Sequence, residues 1–325
     1  MGPFAVVASM GWTGVDAFLV LSAYLITTIL YRQRGSERFI KNFYMRRALR
    51  LFPLYYFILL LTVALTPFLN IHWRPGHLPF FLYATNFALV RDQSLGSLGP
   101  LNFRHLWTLA LEEQFYLLWP WLIGSRLSKG SLVRICWIGM VVALCLRIVL
   151  VRHHVNDWFL YESLPTRIDS LLAGALLALT PLPSVRTAWI GLASAVVAMA
   201  VVIFSAQTLW FTSRPMMTFG YSGLAVLYAS LLTLALHQET WIARFLSLRF
   251  LRFFGRYSYG LYLWHYIFSM QVERFNEWMA AVIHFSTAAS LLSFTIVLLG
   301  ATAVAMLSFR FIEAPFLRVK HRYES

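Results

Sequence analysis

Charge is scarce in this chain. Of 325 residues, 12% are charged and 59% apolar, whereas an ordinary soluble domain has about a quarter of its residues charged. A soluble core has no use for that much hydrophobic surface, so a water-soluble enzyme is excluded. Acidic residues are the scarcer sign, with 13 Asp and Glu against 27 Lys and Arg, a net charge of +14. Cysteine is nearly absent. Cys136 and Cys145 fall nine residues apart in one predicted helix, about 13.5 Å along its axis, too far for a disulfide, and read as packing residues. There is no internal repeat, low-complexity tract, cofactor fingerprint or His/Cys cluster with zinc spacing. Nothing calls for a metal or a permanently bound cofactor, and a single membrane domain over residues 1–325 is the simplest organisation.

What the sequence does have is apolar runs of spanning length, each able to cross a hydrocarbon layer of about 30 Å as helix. Nine are predicted, at 14–31, 51–70, 106–124, 132–151, 167–181, 187–205, 215–236, 257–272 and 286–309. The stretch from Leu78 to Val90 is too short and interrupted to count and reads as re-entrant or interfacial. The fold class is therefore all-α, a polytopic transmembrane helix bundle.

A net charge of this size in a soluble protein would suggest nucleic acid, but its distribution excludes that partner. Assigning alternate loops to opposite sides puts 19 of the 27 basic residues in five segments, around 32–50, 126–134, Arg186, 244–256 and the tail from Arg310. This is the positive-inside bias, which makes that side and the C-terminus cytoplasmic. With nine spans the N-terminus falls outside, although residues 1 to 10 carry no charge to direct it and form no signal peptide. A preceding helix would return the start to the cytoplasm.

Ionisable groups inside hydrocarbon are costly and face the bundle interior or a hydrated cavity. Asp16 opens the first span, either orienting a base or binding substrate, or simply favoured by the helix dipole. At 3.6 residues per turn, His105, Glu112, Tyr116 and Trp119 share one helical face, with Glu113 about 100° away. A buried carboxylate near an imidazole suits proton transfer; the alternative is a hydrogen-bonded packing pair. Ser258, Tyr262, His265 and Ser269 follow at spacings of 4, 3 and 4 and give one span a polar, inward-looking face. A lone membrane histidine on such a face is more often a satisfied core residue than a catalyst.

The sharpest local signal is FYMRRALRLFP at 43–53. In a helix Arg46, Arg47 and Arg50 cluster on one turn, with Pro53 suited to the first turn of the following span. Three guanidiniums near a helix N-terminus make a phosphate site. Anchoring against anionic lipid explains the same residues.

Six stretches, in order, resemble the acyltransferase-3 family of bacterial membrane O-acyltransferases. They are GWTGVDAFLVLSAYLI at 11–26, FYMRRALRLFPLYY at 43–56, HLWTLALEEQFYLLWP at 105–120, RIDSLLAGALLAL at 167–179, GRYSYGLYLWHYIF at 255–268 and SFRFIEAPFLR at 308–318. The resemblance implies a ten-helix domain in the bacterial cytoplasmic (inner) membrane. Such a domain moves an acyl group, usually acetyl, from acyl-CoA on the cytoplasmic side to a hydroxyl of a cell-surface glycan, lipid or other small acceptor. On that basis Arg46, Arg47 and Arg50 become a site for acetyl-CoA as donor. Asp16, Glu112, Glu113 and His265 become catalytic candidates, and His105, Tyr116, Ser258, Tyr262 and Glu313 substrate-binding or structural polar groups. The resemblance also implies an arginine, and about eleven residues later a histidine that serves as catalytic base or acyl relay, on a first helix; here only Met1 to Met10 precede the Gly-Val-Asp segment, and the chain is expected to lack that helix. Ala23 stands where the family usually has Gly. Two competing readings are a truncated, catalytically inactive relative, and a transporter or lipid-handling protein that uses the polar stripes at Glu112 and His265 as a path.

Overall fold

The computed structural model describes residues 11–208, 210–282 and 286–323, with side chains placed except at 280–282, 286–290 and 321. Met1 to Met10, on which the expectation of a missing first helix rests, lie outside the described residues. The long helices are α1 (Gly14–Arg32), α2 (Phe39–Ala64), α3 (Trp107–Gly124), α4 (Lys129–Arg152), α5 (Leu164–Leu179), α6 (Val185–Ala206), α7 (Tyr221–Leu236), α8 (Arg249–Ile267), α9 (Ser269–Val282) and α10 (Ser286–Ser308). Among the described residues the only strands are a two-residue antiparallel pair, Ser97–Leu98 with Leu101–Asn102, turned at Gly99 with φ +58°.

Each of the nine predicted spans falls on helix. Six helical stretches are long and apolar enough to cross a membrane by length and composition: Gly11–Arg32, Phe39–Ala64, Lys129–Arg152, Val185–Ala206, Met216–Leu236 and Leu291–Lys320. The three predicted spans outside these six fall on α3, which carries Glu112 and Glu113, α5, which has 16 residues, and α8, whose first turns hold Arg249, Arg252 and Arg256. The protein is thus an all-α membrane protein. The Leu78–Val90 stretch divides into a 3-10 helix, Pro75–Leu82, and a short α-helix, Thr85–Arg91, broken at Tyr83 with φ 52°.

One local expectation is corrected. Pro53 does not open a new helix but lies inside α2, which runs unbroken from Phe39. Arg46, Arg47 and Arg50 therefore sit two to three turns beyond the helix start, where the N-terminal dipole has faded, since that effect falls off within the first turn. Any attraction they exert on an anion is that of the guanidiniums themselves.

The chain divides into two compact units, Met1–Ile40 with Leu111–Leu248, and Lys41–Ala110 with Arg249–Ser325. In the first, α5 is central, packing against α1, α4 and α7, while α6 packs against α7. Its run Leu171 to Ala175 is buried throughout, and its small residues let backbones approach closely. A Cβ added at Gly174 would run into the carbonyl of Val20 and lie 3.0 Å from the amide of Tyr24, both main-chain atoms of α1. In the second unit, α8 and α9 pack against α10. The Tyr55 hydroxyl donates to the carbonyl of Phe80 (2.6 Å), that of Tyr56 to Phe81 (3.0 Å) and that of Tyr259 to Leu51 (2.6 Å). These bonds hold α2 to the short 3-10 helix and to α8.

Backbone cannot yield as a side chain can. We expect Gly174→Ala to destabilise the protein by about 1–3 kcal/mol, the cost of overpacking, read as a lower midpoint of thermal unfolding in detergent. Gly300→Ala, with nothing within 4 Å of the added carbon, should leave the midpoint unchanged or raise it.

Candidate functional site

The first unit gathers its polar residues around α5. Asp16, in the first turn of α1, and Arg167, in the first turn of α5, are both fully buried. Arg167 Nη2 donates to both carboxylate oxygens, at 2.8 and 2.9 Å, and Ser170 Oγ donates to Oδ1 at 2.7 Å. The guanidinium is flanked by aromatic faces, 3.9 Å from the Tyr221 ring centroid and 5.3 Å from that of Tyr161, a placement that favours a desolvated cation. Two residues along α5, Asp169 accepts from Arg147 Nη2 at 2.8 Å and from the Ser222 hydroxyl at 2.8 Å, and Arg147 Nη1 donates to the carbonyl of Thr166 at 2.6 Å. Two buried ion pairs therefore fasten α5 to α1 and to α4.

Glu112 is buried in the same unit and accepts from Ser22 Oγ at 2.5 Å, while Trp119 Nε1 donates to Thr27 Oγ1 at 2.8 Å. Ser22 and Thr27 lie on α1, so α3 is held to α1 by two polar contacts. Tyr116 is buried with its ring 6.2 Å from that of Phe115, and Glu113 is half-buried. The α-helix begins at Trp107, and His105 sits just before it in the tighter 3-10 turn Arg104–Leu106.

His105 belongs to the second unit, where α8 approaches it. The Tyr262 hydroxyl donates to the carbonyl of His105 and is hydrogen-bonded to the Thr108 hydroxyl. The His105 ring is 5.2 Å from the rings of Tyr262 and Tyr266 and 5.8 Å from that of His265. Ser258 is exposed and bonds back to Gly255, Ser269 Oγ accepts from Asn102 at 3.1 Å, and His265 is exposed. The polar face of α8 thus divides between Tyr262, bonded to His105 and Thr108, and Ser258, His265 and Ser269, which line an open cavity.

Of the three arginines, Arg46 is buried and donates to the main-chain carbonyl of Tyr323, Arg47 is half-buried and Arg50 is exposed. Glu313 is buried in a one-turn π-helix, Phe309–Glu313, and interacts electrostatically with Arg50. Such π-turns often mark functional positions. In the connection before α3, His77 is buried, and burial, helped by the neighbouring Arg74, holds its imidazole below the usual range.

Sequence reasoning did not single out Arg167, Asp169 or Ser22. The signal was present for the first two, because a charged pair two residues apart within an apolar run meets the same cost that singled out Glu112. Their partners were not legible, since Arg167 lies 151 residues from Asp16.

A polytopic helical membrane protein with two buried ion pairs is the class these observations define. The chain matches the model of the family described as acyltransferase domain over residues 2–310, and it belongs to that family. It is 30% identical to the peptidoglycan O-acetyltransferase OatA of Listeria monocytogenes, over 95% of this chain and 51% of that protein. It is 29% identical to the O-acetyltransferase OatA of Staphylococcus aureus strain NCTC 8325, over 94% and 53%. The chain thus spans about half the length of the curated relatives it matches. No solved structure matches it.

Removing one partner of a buried ion pair leaves the other charge uncompensated, at a cost of about 3–5 kcal/mol, while replacing both with apolar residues is often neutral. We expect Asp16→Leu and Arg167→Met each to lower the unfolding midpoint in detergent sharply and the double variant to recover most of the loss. A double variant as unstable as the sum of the singles would show that the pair does not act as a unit.

Proposed function

We propose that this protein is a membrane O-acyltransferase that moves an acyl group, acetyl in the simplest case, from acyl-CoA to a hydroxyl of a cell-envelope glycan. The observation that carries the reading is the family match, together with similarity to O-acetyltransferases along more than nine-tenths of the chain. The name of the Listeria relative supplies the acceptor class, peptidoglycan.

The donor end of the reaction is the arginine turn. Its location in a segment rich in basic residues supports a cytoplasmic position, where acyl-CoA is available, in a bacterial inner-membrane protein with its C-terminus also cytoplasmic. Arg50 is exposed and Arg47 half-buried, and guanidiniums match phosphate oxygens in bidentate fashion. Arg46, bonded to the carbonyl of Tyr323, anchors α2 to the C-terminal segment and positions the other two. Glu313 beside Arg50 limits how far that side chain strays.

The test is the purified full chain in proteoliposomes, supplied with radiolabelled acetyl-CoA and solubilised peptidoglycan strands, with label transfer to the glycan as the readout. Arg50→Ala should raise KM for acetyl-CoA about tenfold, the loss of one charge-assisted contact of roughly 1.5 kcal/mol, with a smaller effect on kcat. Transfer with an unchanged KM would remove the arginine turn from donor binding, and absence of transfer would reject the activity.

A further inference from the structure

The first unit holds a groove of about 580 Å³ between α3, α4 and α5, within the ordinary range of small-ligand sites, about 300–1,000 Å³. Phe115, Leu118 and Trp119 of α3 line one side of it, and Ile135 of α4 with Leu164 and Ile168 of α5 the other. No lining side chain is charged, and the one hydroxyl is that of Ser125. Trp119 turns hydrocarbon to the space, since its Nε1 is engaged with Thr27 and its ring is stacked on that of Phe115 at 5.0 Å. The groove is there because α3 is tied by side chains to α1 and packs closely with neither α4 nor α5. Protein interiors are packed to crystal-like density, so a gap of this size between helices calls for an occupant. Leu118 and Trp121 on its rim are exposed, and the gap therefore opens sideways onto the surface that faces lipid.

One end of the groove is charged. It reaches the loop after α3, where Ser125 and Leu127 belong to the lining. Arg34 Nη2 donates to the carbonyls of both residues and pins the loop. Arg126 stands between them and is exposed, as are Lys129 and Arg134 in the first turns of α4. Lys129 Nζ and Arg34 Cζ lie 5.7 and 6.0 Å from the ring centroid of Tyr31, so cations collect at this end of α1 as well. From Gln114 to Asn156 the sequence contains no Asp or Glu, and the hairpin of α3 and α4 supplies nothing to balance them.

The length of the groove matches its two ends. From Phe115 to Ser125 its wall on α3 runs about 15 Å, at 1.5 Å per residue, half of a hydrocarbon layer of about 30 Å. That is the depth of one leaflet, which a single lipid acyl chain spans. We infer that the groove holds an acyl chain of an anionic phospholipid, with the headgroup phosphate on Arg126, Lys129 and Arg134. Guanidiniums and ammonium groups bind phosphate oxygens through charge-assisted bonds, and basic residues at the membrane surface attract anionic lipid. A soluble phosphate compound would leave the apolar depth unfilled, and a neutral lipid would leave the cations unanswered. The lipid packs the flank of α3 that faces α4 and α5, so it acts as part of the first unit's core. This site is independent of the acyl-transfer reading.

Native mass spectrometry of the purified full chain in detergent tests it, with phosphatidylglycerol and phosphatidylcholine of identical acyl chains as probes. Retention of phosphatidylglycerol should exceed that of phosphatidylcholine by about tenfold or more. The triple variant Arg126→Ala, Lys129→Ala, Arg134→Ala should bring the two lipids level. Leu118→Trp, at an exposed rim position, should fill the groove and abolish retention of both, whereas Val196→Trp, equally exposed on α6, should change neither. Circular dichroism and the thermal midpoint of each variant confirm that it is folded. Equal retention of the two lipids by the wild type overturns the inference. So does phosphatidylglycerol binding that survives Leu118→Trp, which would reduce the site to headgroup adsorption, or displacement of the lipid by glycerol 3-phosphate at equal concentration, which would make it a phosphate site.

Discussion

The ion pair between Asp16 and Arg167 is the constraint from which the first unit takes its form. Neither group reaches water, and neither can be buried alone without a penalty of several kcal/mol, so the first turns of α1 and α5 must meet, and in one register. Once they do, Gly174 brings the same two backbones into contact further along. The second ion pair, Arg147 with Asp169, fixes α4 against the other side of α5. A helix of 16 residues with charges at its start would be a poor membrane span by itself. It is secure because its neighbours supply counter-charges, hydroxyls and aromatic faces.

The second unit is ordered differently. Several of its polar contacts run from tyrosine or arginine side chains to main-chain carbonyls: Tyr55 to Phe80, Tyr259 to Leu51, Tyr262 to His105, Arg46 to Tyr323. Such contacts hold elements in place without burying opposed charges. They leave Arg50 and His265 exposed, one on α2 and the other on α8. The proposed donor chemistry falls on this unit, where Arg50 meets solvent. In the first unit four buried charges are spent on one another, Asp16 on Arg167 and Arg147 on Asp169.

Much of this was legible in the sequence. Hydropathy runs located the helices because burial in lipid needs length and apolar composition, and both are local properties. The costly residues Asp16 and Glu112 were visible for the same reason. Pairing was not, because Asp16 finds Arg167 and Glu112 finds Ser22 only through the way helices are arranged. Helix ends were also poorly legible. The arginine turn read as the entrance to a span because Pro53 follows it, yet the preceding residues are good enough helix formers to carry α2 back to Phe39. The three residues of tighter pitch before α3, His105 among them, were not legible either, since no feature of composition announces that change.

Pro53 has one more consequence, for the mechanics of α2. Proline brings no amide hydrogen to a helix, so the carbonyl four residues earlier, that of Leu49, goes without its rung of the ladder. The gap falls beside Arg50, between the turn that bears the arginines and the apolar length beyond. It is a weak point in an otherwise continuous rod, where one of the bonds that keep the arginine end in line with the apolar length is missing.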